Sequence, residues 1–469
     1  MKNKKRVLSV FSLAMINVIA IDSLRNLPTN AATGLAIPLF YIIATLVFLI
    51  PSVLITAELA THRPKTGGAY VWVREAFGPQ WGFVNIWLQW IYNVFWYPTI
   101  LSFIGANIAY LIDPSLAGDK WFMLPLIIGT FTIVTIANCC GMKLSSLISS
   151  ISAVIGTIIP MAFIIALGIG WIMAGKPLAL TPSAANFLPH FSQIPNLAFL
   201  VVIFFSLMGM EMSAVHAEEV KNPQRDYPRA LYYSSLIIVI TSILASTAVA
   251  IVVPKSSLNI VSGLDQAFAI FLNAFGLKWL LPFVILIIIL GGFGGMAAWV
   301  IGPPKGLVVA AEDGCAPTLF SRRNKYGAPV AVLIAQAIIV ILLCSMFLLI
   351  KSFNTSYWIL SDLTAQLALI FYIILFAAAI KLRYKTKPNP NAFRIPGGKI
   401  GIWLVGGVGI VACIGAIAIG FIPPETIKIA NIKLYEIMLG AGVLIFVLLP
   451  LIFYKLSTRK RQLLQREFS

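Results

Sequence analysis

Charged residues are scarce in this chain of 469 residues. Asp, Glu, Lys and Arg make up only 11% of it, whereas 59% of it is hydrophobic. Soluble domains carry about 25% charged residues, and a soluble fold could not cover so much apolar surface with so few. Soluble proteins are therefore excluded, and we expect the chain to lie within a lipid bilayer.

Other features are also missing, and each absence removes a class of protein. The apolar runs are about 20 residues long and do not alternate with polar residues, so helices rather than a β-barrel are expected. The five cysteines lack metal-ligand spacing and are expected to be free thiols, with no metal site. Ser/Lys and Asp/Asp dyads and His-Glu-x-x-His pairs are absent from the apolar runs, so neither an enzyme nor a cofactor is expected. No cleavable signal peptide is expected either, since the basic N-terminus leads into an apolar run without a cleavage site.

The apolar sequence divides into twelve runs, each long enough to cross a hydrocarbon layer about 30 Å thick. The predicted runs are 7–27, 36–58, 82–111, 121–140, 150–173, 196–217, 230–253, 279–302, 328–350, 357–380, 402–422 and 433–455.

The positive charge is distributed unevenly between the segments that join these runs. With a cytoplasmic N-terminus, the cytoplasmic segments hold 26 Lys and Arg residues and the outer ones hold seven, while Arg25 lies within the first run. This ratio predicts that both termini are cytoplasmic. The net charge of +18 therefore reflects cations in cytoplasmic loops, and nucleic acid is not an expected partner.

Two of the runs end at a carboxylate. Asp22 follows the run 7–21, and Glu211 follows the run 198–210. A carboxylate at mid-membrane costs about 2.5–3.5 kcal/mol on insertion scales, so each is expected to line a water-filled path or to meet a partner. Interrupted helices at corresponding places in two halves of a chain indicate the substrate site of a secondary transporter.

Runs one and six each begin one half of the chain, and five runs separate them. The second half would therefore be inserted upside down, which predicts a five-plus-five inverted repeat with two trailing helices. We expect one transmembrane transporter domain over 1–469, with helices 1–5 at about 7–173, helices 6–10 at about 196–380 and helices 11–12 at about 402–455.

An interrupted helix exposes backbone amides and carbonyls, which suit the carboxylate and the ammonium of an α-amino acid. The alternative for each interruption is an ordinary kink. Asn93 and Tyr97, which share one helical face, are expected to form a wall of the pocket. The candidate residues at the interruptions are Ala20, Ile21, Asp22 and Ser23 in the first run and 206–209, including Met208 and Gly209, in the sixth.

Arg25 and Asp362 are two further charged residues within predicted helices. Asp22 and Arg25, three residues apart, are expected to pair along one helical face; the alternative is that Arg25 holds the distal carboxylate of a substrate. Asp362 is expected to face the helix bundle rather than lipid, because lipid exposure would be costly.

Several segments resemble those of amino acid–polyamine–organocation (APC superfamily) transporters, and more narrowly those of bacterial glutamate:GABA antiporters. The resemblance covers nearly the whole chain. The segments that carry it are 64–78 (PKTGGAYVWVREAFG), 208–211 (MGME), 219–228 (EVKNPQRDYP), 299–303 (WVIGP) and 393–398 (FRIPGG).

This resemblance implies an inverted repeat of the leucine-transporter type with broken helices 1 and 6, and transport by alternating access across the bacterial inner membrane. It also implies exchange of an external glutamate-like amino acid for an internal GABA-like decarboxylation product, often in acid resistance. Small amino acids and the lipid bilayer are the implied partners, and a homodimer is left open. A proton-coupled symporter and a membrane amino acid sensor are the alternatives.

Three residues take roles from the resemblance. Trp299 matches an aromatic gate beneath the substrate, and Glu211 matches a carboxylate involved in gating and pH response. Phe205 stands where related arginine:agmatine exchangers stack their substrate on a Trp. Two departures are that the first interruption reads Ile21-Asp22-Ser23 instead of a Gly-Ser-Gly type sequence, and that the chain is expected to be too short for a C-terminal plug.

Overall fold

The computed structural model describes residues 8–64, 67–140, 154–180, 187, 194–350, 352–385, 389–424, 427, 429 and 431–467. Within these ranges all regular elements are helical, apart from one isolated bridge between Leu8 and Val220. Twelve helical stretches are long and apolar enough to cross a membrane. The predicted all-α, polytopic fold with twelve transmembrane helices is confirmed, although residue 7 and residues 150–153 of the predicted runs lie outside the described part.

We number these stretches as spans one to twelve in chain order. The helix of span eight continues to Glu312 and so carries Trp299. The twelve spans are Val10–Ala31, Gly34–His62, Pro79–Ile112, Lys120–Cys139, Val154–Met173, Leu197–Ala214, Pro223–Val252, Lys278–Met296, Val330–Leu349, Phe353–Lys385, Gly398–Gly420 and Ile432–Ser457.

Among the described residues, two shorter α-helices lie between spans and were not expected from the apolar runs, because neither is long or apolar enough to stand out. They are Gly68–Phe77, after span two, and Gly263–Ala274, after span seven. The first begins after Gly67 and ends before Gly78, whose φ angles of 122° and 97° favour glycine. It contains most of the 64–78 segment that carries part of the resemblance.

The Gly68–Phe77 helix is attached through Asp313 to the C-terminal end of the helix that contains span eight. Tyr70 Oη donates to Asp313 Oδ2 at 2.6 Å, and Arg74 forms an ion pair with the same oxygen. Burial, and then the hydrogen bond to Asp313, raise the pKa of Tyr70, so its hydroxyl remains a donor. As long as these contacts with Asp313 are kept, the Gly68–Phe77 helix and span eight must move together.

A buried ion pair holds the 393–398 segment against the bundle. Glu58 Oε2 lies 3.3 Å from Arg383 Nη2, which joins span two to span ten. The backbone of Ile395 contacts both partners, since its N–H donates to Glu58 at 2.8 Å and its C=O accepts from Arg383 at 2.8 Å. This loop therefore supplies backbone hydrogen bonds to a pair of buried charges.

Asp362 faces the bundle, as expected, and is 1% exposed. Tyr435 of span twelve donates to Asp362 Oδ2 at 2.5 Å, and Tyr435 Oη also lies 2.9 Å from the carbonyl oxygen of Gly420. These contacts join spans ten, eleven and twelve. Asp362 therefore connects helices at the point where the two trailing spans pack on span ten.

Spans five and eight approach each other backbone to backbone at Gly156 and Gly291. A Cβ atom built on either glycine would overlap the backbone of the other. Small residues allow such close packing between membrane helices, where van der Waals contact replaces the hydrophobic effect. Both glycines also line a cavity described below, so their contact helps to fix its shape.

We predict that Gly156→Ala destabilises the protein, because the added methyl group forces spans five and eight apart. Overpacking of this kind costs about 1–3 kcal/mol. Gly129→Ala in span four is the matched control, since a Cβ there meets nothing within 4 Å and alanine favours a helix. The measurement is thermal unfolding in detergent, and equal melting temperatures for the two variants would contradict the close contact.

Candidate substrate site

The helix of span one is interrupted at Asp22 and Ser23. Its first part, Val10–Ile21, ends where the Asp22 N–H donates to the carbonyl of Val18 at 2.8 Å. Ser23 is extended, with φ −105° and ψ 122°, and a 3-10 turn Leu24–Asn26 follows. Among the described residues the Ser23 N–H has no backbone acceptor. Asp and Ser favour the interruption of a helix because their short polar side chains offer the backbone hydrogen bonds that compete with those of the helix.

The helix of span six is interrupted at 207–209. The α-helix Ile194–Ser206 ends there, and a 3-10 helix begins at Met210. Gly209 has φ 121°, and a Cβ on it would lie 3.1 Å from Ile21 Cγ1 and 3.3 Å from Trp299 Cζ2. Both the backbone angle and the close approach therefore favour glycine. Within the described residues, the carbonyls of Leu207 and Met208 accept no backbone hydrogen bond.

Two adjoining cavities lie at these interruptions. The Arg25 cavity, between spans one, three, six and eight, holds about 430 Å³ of empty space, and the Asp22 cavity, between spans one, three, five and eight, holds about 420 Å³, open solvent included in both. The residues that line both cavities are Ala20, Ser23, Trp96 and Trp299.

Most of the predicted site residues lie around these cavities. Asp22 lines the Asp22 cavity. Those that line the Arg25 cavity are Ala20, Ile21, Ser23, Asn93, Phe205, Met208 and Trp299.

Tyr97 and Gly209 do not line either cavity among the described residues. Tyr97 is completely buried, and its hydroxyl donates to the carbonyl oxygen of Trp299 at 3.1 Å. The expectation that Tyr97 forms a wall of the pocket is therefore wrong, because its ring packs on Phe131 of span four. Tyr97 instead holds the backbone of Trp299, and Gly209 lies directly behind Ile21 and the Trp299 ring.

Trp299 connects span eight to the interruption of span one. Its indole Nε1–H donates to the carbonyl oxygen of Ala20 at 3.2 Å, and its ring lies 6.2 Å from that of Trp96. Because both tryptophans line both cavities, they stand at the boundary between them. A displacement of Trp299 would therefore alter the passage from one cavity to the other.

Glu211 is buried and hydrogen-bonded to neutral groups. Tyr372 Oη donates to Glu211 Oε2 at 2.5 Å, and Gln89 Nε2 donates to Oε1 at 3.4 Å. The same Tyr372 hydroxyl accepts the Gly209 N–H at 2.7 Å. Tyr372 of span ten thus satisfies both a buried carboxylate and a peptide group released by the interruption of span six.

The expected ion pair between Asp22 and Arg25 is wrong. Asp22 accepts hydrogen bonds from Thr241 at 2.6 Å and Ser242 at 3.2 Å, both in span seven. The extended Ser23 lies between the two charged residues, so they no longer share one helical face. The i, i+3 spacing brings side chains together only along a continuous helix.

Arg25 instead contacts neutral side chains. Nη1 donates to Thr99 at 3.1 Å and to Tyr357 at 3.0 Å, and Nη2 donates to Asn26 at 2.8 Å. Its guanidinium carbon lies 5.5 Å from the centre of the Phe205 ring. The ring that the resemblance assigned to substrate stacking therefore already carries a guanidinium of the chain itself.

Sequence reasoning missed several residues of the site. Local signals for them were lacking, because a tyrosine or threonine within an apolar run is also common as a packing or interface residue. Only the packing of distant spans brings them to the interruptions. They are Gln89, Tyr92, Trp96, Thr99, Thr241, Ser242, Tyr357 and Tyr372.

The chain is similar to known transporters over nearly its whole length. The model of the amino acid permease family matches residues 8–448. An uncharacterized transporter of Legionella pneumophila, lpg1691, is 53% identical over 97% of this chain and 98% of its own length. A glutamate/gamma-aminobutyrate antiporter of Lactococcus lactis is 27% identical, with coverages of 98% and 92%. The "Probable agmatine/putrescine antiporter AguD" of the same species is 26% identical, with coverages of 85% and 84%.

We predict that Tyr372→Phe lowers transport markedly. Without the hydroxyl, the Gly209 N–H and one Glu211 oxygen lose a partner, and an unsatisfied buried polar group costs about 1–3 kcal/mol. Tyr232→Phe is the matched control, because Tyr232 lies in span seven with its side chain pointing away from the helix bundle and is 61% exposed. Initial rates of substrate uptake into proteoliposomes measure the effect. If both variants transport at the wild-type rate, Tyr372 does not support the interruption of span six.

Proposed function

The chain belongs to the amino acid permease family, and from this premise we propose that it is a secondary active amino acid antiporter of the bacterial inner membrane. It exchanges an external glutamate-like amino acid for an internal GABA-like decarboxylation product, without covalent chemistry. The cavity between the interruptions of spans one and six is the observation that carries this proposal. Glutamate/gamma-aminobutyrate exchange by a relative similar over nearly the full length supports the choice of substrates.

The interruptions supply complementary groups for a zwitterion. The Ser23 amide, free of a backbone acceptor within the described residues, binds the substrate carboxylate, while the carbonyls of Leu207 and Met208 bind its ammonium. Ile21, Asn93 and Phe205 border the same volume. The main chain alone therefore binds the carboxylate and the ammonium of the substrate. Side chains are needed there only to keep the two interruptions open.

Alternating access requires a barrier that changes sides. Trp299 is the proposed gate, because it separates the two cavities and holds the Ala20 carbonyl. Glu211 is a second gating group, since it is joined to the interruption of span six through Tyr372. In this proposal spans one to ten form the inverted repeat of one transporter domain, and both termini are cytoplasmic.

One observation favours proton-coupled symport as a second candidate function. Asp22 and Glu211 are both buried, and their hydrogen-bond partners in the described part are neutral. Buried carboxylates with neutral partners can take up a proton without breaking an ion pair. A proton-driven transport cycle would protonate and deprotonate carboxylates of this kind.

Counterflow in proteoliposomes distinguishes these two functions. We predict that labelled glutamate accumulates only when the liposomes contain unlabelled glutamate or GABA, because an exchanger cannot return empty. Gly209→Ala serves as the inactive control, since its methyl group would strain the φ angle of 121° and meet Trp299. Accumulation in empty liposomes driven by an acidic outside medium would contradict exchange and establish symport.

A further inference from the structure

Arg25 is a buried charge without a counter-charge among the described residues. Its side chain is 2% exposed, and the oxygens it contacts belong to neutral groups. A buried charge without a counter-charge is unfavourable. Since Arg25 lines a cavity, an anion that enters the cavity would supply the missing counter-charge.

The guanidinium has donors to spare for that anion. It carries five N–H groups, of which Thr99, Tyr357 and Asn26 take three. The two that remain belong to Nη2 and to Nε, which has no partner among the described residues and is itself buried, so an anion reaches Nε only when the groups around it move. These nitrogens form one edge of the guanidinium plane, and two parallel N–H groups on such an edge suit a carboxylate.

Arg25 lies in the same cavity as the free amide of Ser23. Both residues line this cavity, so it offers two positions for the negative groups of a substrate. A zwitterion with a neutral side chain would use only one of them. An amino acid with a second carboxylate would use both.

The aromatic rings around Arg25 act against cationic substrates. Its guanidinium carbon lies 5.5 Å from the Phe205 ring centre and 5.9 Å from that of Tyr357, so these ring faces already hold a cation. A diamine or a guanidinium compound in the cavity would meet a like charge instead of a free ring. The electrostatics therefore favour anionic side chains over cationic ones.

We propose that Arg25 binds the side-chain carboxylate of the transported amino acid, and so makes the site selective for acidic amino acids over their amides and over diamines. This assignment rests on the proposed exchange function, because the ligand is taken to be the transported solute. Thr99, Asn26 and Tyr357 are positioning residues that hold the guanidinium. The Ser23 amide is left for the α-carboxylate.

The test compares labelled glutamate, glutamine and putrescine as substrates of wild type, Arg25→Gln and Arg25→Lys in proteoliposomes. Arg25→Gln is expected to raise the KM for glutamate about 10- to 100-fold, the range of one to two charge-assisted hydrogen bonds, and to leave the KM for glutamine within about twofold. Arg25→Lys keeps the charge and should retain part of the preference. Arg323→Gln is the matched control, because this exposed arginine pairs with Glu312 on the surface.

Two further measurements keep the test decisive if transport is lost. Stabilisation of the purified protein against heat by glutamate or glutamine reports the same selectivity without transport. Tyr357→Phe removes one hydrogen bond from Arg25 and keeps its charge, so a smaller loss for glutamate alone is expected.

Each remaining outcome has one meaning. An equal loss for glutamate and glutamine in Arg25→Gln would assign Arg25 to the α-carboxylate and overturn the proposal, as would unchanged selectivity. A wild-type protein that is stabilised by glutamate through Arg25 but exchanges nothing would overturn the exchange function and leave the binding assignment intact.

Discussion

The hydrocarbon interior of a bilayer offers no water to a peptide group or a charge, and the central architecture of this protein follows from that constraint. Interrupting spans one and six releases peptide groups, and the spans around them supply partners. Tyr372 of span ten serves both the Gly209 amide and the Glu211 carboxylate, while Thr241 and Ser242 of span seven serve Asp22. Arg25 alone among these central charged residues keeps a donor without a partner in the described part.

The two cavities form one functional unit because they share the residues that separate them. Trp299 donates to the Ala20 carbonyl at the end of the first helix of span one, and Tyr97 of span three holds the Trp299 backbone. Spans one, three and eight are therefore joined at the boundary between the cavities. The close contact of Gly156 and Gly291 adds span five to the same group, so a movement of span eight would be transmitted to the site through direct contacts.

The fold could be predicted from the sequence because hydropathy directly measures what a membrane span requires. All twelve apolar runs correspond to observed spans, whereas the short helix Gly68–Phe77 escaped detection because it is neither long nor uniformly apolar. The site was predictable from the interruptions at Asp22 and Gly209, from the helical spacing that selects Asn93, and from the resemblance at Phe205 and Trp299. Pairing of Asp22 with Arg25 was inferred from helical spacing, and the extended Ser23 invalidates that spacing. The roles of Tyr357 and Tyr372 depend on the packing of span ten against distant spans, which no local pattern encodes.

The central claim is that the interruptions of spans one and six, together with Arg25, form the binding site of an acidic amino acid. A cryo-electron microscopy structure of the protein with glutamate tests it most directly. The account predicts density for glutamate in the Arg25 cavity, with one carboxylate at the Ser23 amide and the other at the Arg25 guanidinium. Density for glutamate elsewhere, or a continuous helix through Asp22 and Ser23 with Arg25 paired to Asp22, would contradict it.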